Sequence, residues 1–248
     1  MPQVSNRLPG AAYFNRATEI AITNRPGDLA ALYRGNSAPV GFIDESFELV
    51  GRKTFYMVSL ALVFHERLDA VREEVLECYS GQALHAGPMH FAGETGTLRK
   101  ATELVGVQND GMHIVACVPV LADDPLADRA RAKCIEHLTT EARRSASTTL
   151  FVLDRRTGGE NEKDRRTIND LVKRGRLGRE TKVFHGQPSV EPLLGLADVL
   201  VWSYRQDYQN KKSEWFDPMR AATSVKIFRS DPERALNLQI GGKRPAGR

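Results

Sequence analysis

Five apolar runs, at residues 39–45, 54–64, 112–121, 148–154 and 181–187, most constrain what this chain can fold into. Each has the length of a strand and is rich in β-branched or aromatic residues. Between and after them lie stretches with helical periodicity, at 65–81, 97–108, 124–145, 160–175 and 190–208. In the first of these, Leu68, Val71, Val75 and Leu76 share a face and Gly81 supplies a stop. Pro125 stands near the first turn of the third. The resulting order is strand, strand, helix, helix, strand, helix, strand, helix, strand, helix. It predicts an α/β domain with a mixed sheet flanked by helices. Residues 84–96, with glycines and a proline, read as a loop, and 223–228 as an edge strand.

The domain is expected over 39–208, with an N-terminal extension at 1–38 and a basic C-terminal extension at 209–248. A short helix is expected at Leu29 to Tyr33 within the first, which reads as a leader or lid. The longest apolar run, near 55–64, is about half of what a membrane-spanning helix needs. The first ten residues lack the basic start and apolar core of a secretory signal, so no membrane partner and a cytoplasmic location are expected. Cys78, Cys117 and Cys134 are far apart and form no CxxC pair, which argues for isolated thiols. No nucleotide-cradling glycine motif follows a strand, and no GxSxG or HExxH occurs.

The formal charge is +4, unevenly spread. Residues 155–182 carry ten Lys and Arg against five Asp and Glu, and 205–248 repeat that excess. The rest of the chain is correspondingly acidic, a split that fits an anionic partner or a solvated face with a basic tail.

Three acids sit where acids cost most. Asp44 ends the first strand in "GFIDES", Asp154 ends "TLFVLD", and Asp198 lies among Leu194, Gly195, Val201 and Trp202 in an apolar helix. Each has a local explanation: a turn cap for Asp44, pairing with Arg155 or Arg156 for Asp154, a backbone amide for Asp198. Taken together, strand-end carboxylates converge at the edge of an α/β sheet where ligands bind. Clustered carboxylates raise one another's pKa, and a divalent cation relieves the conflict. An all-oxygen donor set suits Mg²⁺ or Mn²⁺.

The set "GFIDES", "LHAGPMHF", "TLFVLDRR" and "LLGLADVLVWSYRQ" resembles the DUF3800 family, over about residues 39–208. The resemblance implies a ribonuclease H-like fold and a metal-dependent nuclease or phosphodiesterase working by two-metal hydrolysis. It implies Asp44, Asp154 and Asp198 as metal ligands. A fourth acid is expected: Glu94, or Glu45, which strand alternation points away from Asp44. His90 is a candidate proton shuttle or phosphate contact, with a backbone-bonded loop histidine as the alternative. His185 is a second candidate near the acidic edge, whereas His85 reads as packing or surface. Arg155, Arg156, Lys163, Arg165, Arg166 and Lys173 are candidates for tracking a nucleic-acid backbone. Lys211 and Lys212, near Tyr204, Tyr208 and Trp215, mix cations with aromatics as single-strand binders do. The competing expectation is a non-catalytic nucleic-acid or protein binding module on the same fold.

Overall fold

The computed structural model describes residues 22–23, 26–47, 55–79, 84–107, 112–124, 126–157, 159–221 and 225–230. The five expected strands form as β2 (Val40–Phe47), β3 (Phe55–Val63), β4 (His113–Pro119), β5 (Leu150–Asp154) and β6 (Lys182–Gly186). Two more lie at the edges, β1 (Ile22–Thr23) and β7 (Val225–Arg229). The helices are α1 (Pro26–Arg34), α2 (Leu68–Cys78), α3 (Ala86–Phe91), α4 (Thr95–Val107), α5 (Asp128–Ala146), α6 (Glu160–Lys173), α7 (Leu194–Tyr208) and α8 (Asp217–Ala221). The protein is therefore α/β.

One mixed sheet has the order β1-β6-β5-β2-β3-β4-β7. β2, β3 and β4 are antiparallel neighbours, and β5 and β6 continue parallel to β2. Successive strand residues point to opposite faces, and both faces are covered. On one side Val40, Phe42, Met57, Val115 and Val152 pack with α2, α4 and α7. On the other, Ile43, Val58, Leu60, Ile114 and Leu153 pack with α5 and α6. Burial on both faces explains why "FYMVSLALV" reads as an unbroken apolar run. Helix α7 is buried over most of its surface, which accounts for the apolar residues that surround Asp198 from Leu194 to Trp202.

Close backbone approaches fix parts of this arrangement. A Cβ on Gly41 would meet Phe151 Cδ1 at 2.9 Å, and one on Gly106 would meet the Pro218 carbonyl oxygen at 2.8 Å. The start of α5 is capped by Asp124, whose Oδ2 accepts from the amides of Arg129 and Ala130, both at 3.1 Å.

Three expectations need correction. The stretch 84–96 is not all loop, because α3 forms within it. The domain does not stop at 38 or 208. Leu29 and Leu32 of α1, and Trp215, Phe216 and Met219 beyond α7, enter the same core as α7 itself. Nor does α1 read as a lid: the Tyr33 hydroxyl donates to Glu191 at 2.6 Å and ties the helix to the body. The start of the helix expected from 124 includes Pro125, which lies outside the described residues. Cys117 and Cys134 are buried free thiols and Cys78 is half-buried. No helix among the described residues is long and apolar enough to cross a membrane.

Candidate functional site

Strands β2 and β5 run in parallel register from Val40 beside Leu150 to Ile43 beside Leu153. The next residue on each is an aspartate, Asp44 and Asp154. Both share the face of Phe42 and Val152, which is the face α7 covers. Helix α7 brings Asp198 to the same place, and Ser59 explains how. Ser59 is the cross-strand partner of Asp44, is fully buried, and donates its hydroxyl to the Ala197 carbonyl at 2.7 Å. The turn carrying Asp198 is thus pinned beside Asp44. Its only mark in the sequence is that it is a lone serine in an apolar strand.

The electrostatics show the convergence. Burial, followed by the charges of Asp198, Glu45 and Asp154, pushes Asp44 well above the ordinary carboxylate range, while the Glu45 amide moderates it. That amide donates to Asp44 Oδ1 at 2.6 Å. Burial and the charges of Glu45 and Asp198 raise Asp154 to about 6, against the Arg155 amide and His85. Asp198 is likewise raised to about 6 by burial, against the Ala86 amide, His85 and Arg205. The Ala86 amide, at the start of α3, donates to Asp198 Oδ2 at 2.5 Å. Three acids distant in sequence therefore meet on one face, each held less acidic than in water.

Glu45 lies on the other face, as strand alternation predicts. It pairs there with Arg131 and, at 2.8 Å, with Arg156. Arg131 is 4 % exposed and holds Asp164 through two 2.7 Å bonds. That bidentate contact keeps Asp164 below its usual range despite burial. Although it lies on the highly charged helix α6, Asp164 is buried. His185 is also fully buried on this face, 3.5 Å from Asp164 Oδ2. It belongs to this network and not to the three aspartates.

Glu94, the other expected fourth acid, is exposed just before α4. His90 packs against Trp202 and Trp215, with ring centroids 5.2 and 5.8 Å away. The histidine whose charge the carboxylates feel is His85, exposed at the start of α3.

The basic residues of α6 carry their own counter-charges. Arg156 pairs with Glu160 at 2.9 Å, and Lys163 with Asp128 and Glu160 at 2.8 Å each. Arg165 and Arg166 approach Glu162 at 3.3 and 3.9 Å, and Lys173 approaches Asp170 at 3.6 Å. The cationic track expected here is largely compensated within the chain. Arg155 is exposed directly after Asp154, and its backbone amide donates to Gly186 at 2.6 Å. Lys211 donates to the Tyr208 carbonyl at 2.8 Å and lies 5.6 Å from that ring's centroid.

The all-carboxylate donor set, desolvated and mutually repelling, fits a hard divalent cation in its chemistry. Among the described residues, however, no group of three or more His, Cys, Asp or Glu side chains is arranged as a preformed metal cage. No family model matches the chain, and no curated protein matches it in sequence.

Proposed function

We propose that the chain is a divalent-metal-dependent nuclease or nuclease-like phosphodiesterase on a ribonuclease H-like core. The observation that carries this reading is the meeting of Asp44, Asp154 and Asp198 where the parallel pairing of β2 and β5 ends; Asp44 does not end its strand, as the sequence suggests, because β2 runs on to Phe47 against β3. Ligands bind at such edges of α/β sheets. The order β6-β5-β2-β3-β4, with three antiparallel strands followed by two parallel ones, supports the ribonuclease H-like assignment. So does the resemblance to the DUF3800 family carried by "IDES" and the late "LADVLVWSYR".

Asp44, Asp154 and Asp198 would hold Mg²⁺ or Mn²⁺. Such an ion supplies Lewis acidity toward a phosphodiester and toward an attacking water. The chain's own contributions follow from its geometry. The Glu45 and Ala86 amides orient the Asp44 and Asp198 carboxylates. Ser59 fixes the spacing between strand and helix. His85, at the rim of the acidic face, is placed to relay a proton there. Arg155, beside Asp154, is placed to contact a substrate phosphate.

The test is incubation of labelled RNA and DNA with Mn²⁺, comparing wild type with Asp44→Asn. Cleavage that requires Mn²⁺ and is lost in the variant supports the reading. Metal-independent cleavage, or full activity in the variant, refutes it.

A second reading is a non-catalytic binding module. One observation favours it: among the described residues the acids form no preformed metal cage. Calorimetry separates the two. Salt-sensitive nucleic-acid binding without Mn²⁺ binding supports the module.

A further inference from the structure

The backbone register joining β2 to β5 ends at Ile43 and Leu153, one residue before the two aspartates. Past that point β2 runs on to Phe47 against β3, and a side-chain pair on the opposite face joins it to the residues just after β5. Arg156 Nε lies 2.8 Å from Glu45 Oε1, and these residues directly follow or closely follow Asp44 and Asp154. Both partners are anchored further. Arg156 Nη1 donates to Glu160 at 2.9 Å, and its backbone amide donates to Asn161 Oδ1 at 2.9 Å. The second Glu45 oxygen takes Arg131, which is locked by Asp164 and reaches the Tyr56 hydroxyl at 3.2 Å. Glu45 is thus gripped from two sides while its amide holds Asp44.

We propose that the Glu45–Arg156 pair is a clasp that sets the separation of Asp44 and Asp154, and so tunes how tightly the acidic face binds a divalent cation. Glu45 and Arg156 are positioning residues in this arrangement, and Glu45 is not a ligand. The inference rests on the metal-site reading above.

Stability alone is a weak reason for such a network. Partly buried ion pairs contribute little net stability compared with apolar replacements. Metal ligands, in contrast, must be held to about half an ångström, and loss of an outer supporting contact typically lowers affinity about 10- to 100-fold. The pair is only 18 % and 24 % exposed, so salt screens it less than an open surface pair. Arg156 is also the network member that can be changed most safely, because Arg131 keeps its hold on Glu45 when Arg156 is gone.

The experiment measures Mn²⁺ binding to the full chain by electron paramagnetic resonance, for wild type, Arg156→Met and Arg156→Lys. Hydrogen exchange of the Glu45 and Val152 amides is followed in the metal-free proteins. The clasp predicts roughly tenfold weaker Mn²⁺ binding in Arg156→Met, with most of the affinity restored in Arg156→Lys. It also predicts several-fold faster exchange at Glu45 with Val152 unchanged. Unchanged exchange at Glu45 together with unchanged affinity overturns the clasp. The same holds if Arg156→Met weakens only nucleic-acid binding, which would make Arg156 a phosphate contact. Absence of Mn²⁺ binding in wild type overturns the metal-site reading instead. The clasp as a geometric device is then decided by the Glu45 exchange rate alone.

Discussion

Replacing Asp198 with Asn should stabilise the metal-free protein at neutral pH and remove its response to Mn²⁺. Burial raises the Asp198 carboxyl from 3.8 to about 6. A carboxyl whose pKa is raised by folding contributes full stability only below its unfolded value, near pH 4, and loses it as pH climbs through about 6. At 1.36 kcal/mol per unit the loss is about 3 kcal/mol. The side chain keeps some contact with solvent, and discounting for screening brings this to about 1.5 kcal/mol. Asparagine can accept the Ala86 hydrogen bond through its own Oδ1, so only the charge is removed. For a protein of this size the gain corresponds to a rise in Tm of about 3–6 °C at pH 7.5, fading to nothing near pH 4. Mn²⁺ at about 100 times its Kd should add about 2.7 kcal/mol to wild type alone and reverse the ranking. Scanning calorimetry in EDTA and in Mn²⁺, at both pH values, checks each part. A variant less stable than wild type at pH 7.5 in EDTA refutes the desolvation argument. Equal Mn²⁺ shifts in both proteins refute the ligand role.

Arg131→Met should lower stability by about 3–5 kcal/mol, read from the urea midpoint, because it leaves Asp164 and Glu45 partly buried without their main counter-charge. Burial lowers His113 to about 4. Its contribution is therefore complete above about pH 6.5 and lost as pH falls toward 4, and its ring resonances should show no protonation above about pH 5. Gly41→Ala should cost about 1–3 kcal/mol, measured by denaturant unfolding, since the new methyl group meets Phe151 and Leu60 at 2.9 and 3.1 Å.

Much of the architecture was legible because it is written in local periodicity. The continuous apolar run of β3 marked a strand, and the strongly apolar stretch around Asp198 marked a helix. The aspartates at 44, 154 and 198 stood out for the same reason, as acids where burial is expensive. The strand period also placed Glu45 opposite Asp44. The rest depended on distant contacts. Asp164 differs from its neighbours on α6 only because Arg131, 33 residues away, reaches it. His85 and His90 lie five residues apart on one short segment, and only the tertiary structure shows that His90 packs on Trp202 and Trp215. Most α6 cations pair with acids three or four residues away on the same helix, and only the Lys163–Asp128 contact depends on another helix. Outside 39–208, Leu29, Leu32, Trp215, Phe216 and Met219 join the same core, a contact that no local pattern announces.

The sequence by itself determined the order of strands and helices, the two faces of each strand and the three costly acids. Side-chain alternation and helical periodicity are local and need no partner. Only the tertiary structure decided that these acids meet. That outcome requires β2 to pair with a strand more than a hundred residues later, and Ser59 to pin α7 against β3. Pairing of this kind is chosen by the burial of the whole sheet, and no short stretch of sequence encodes it.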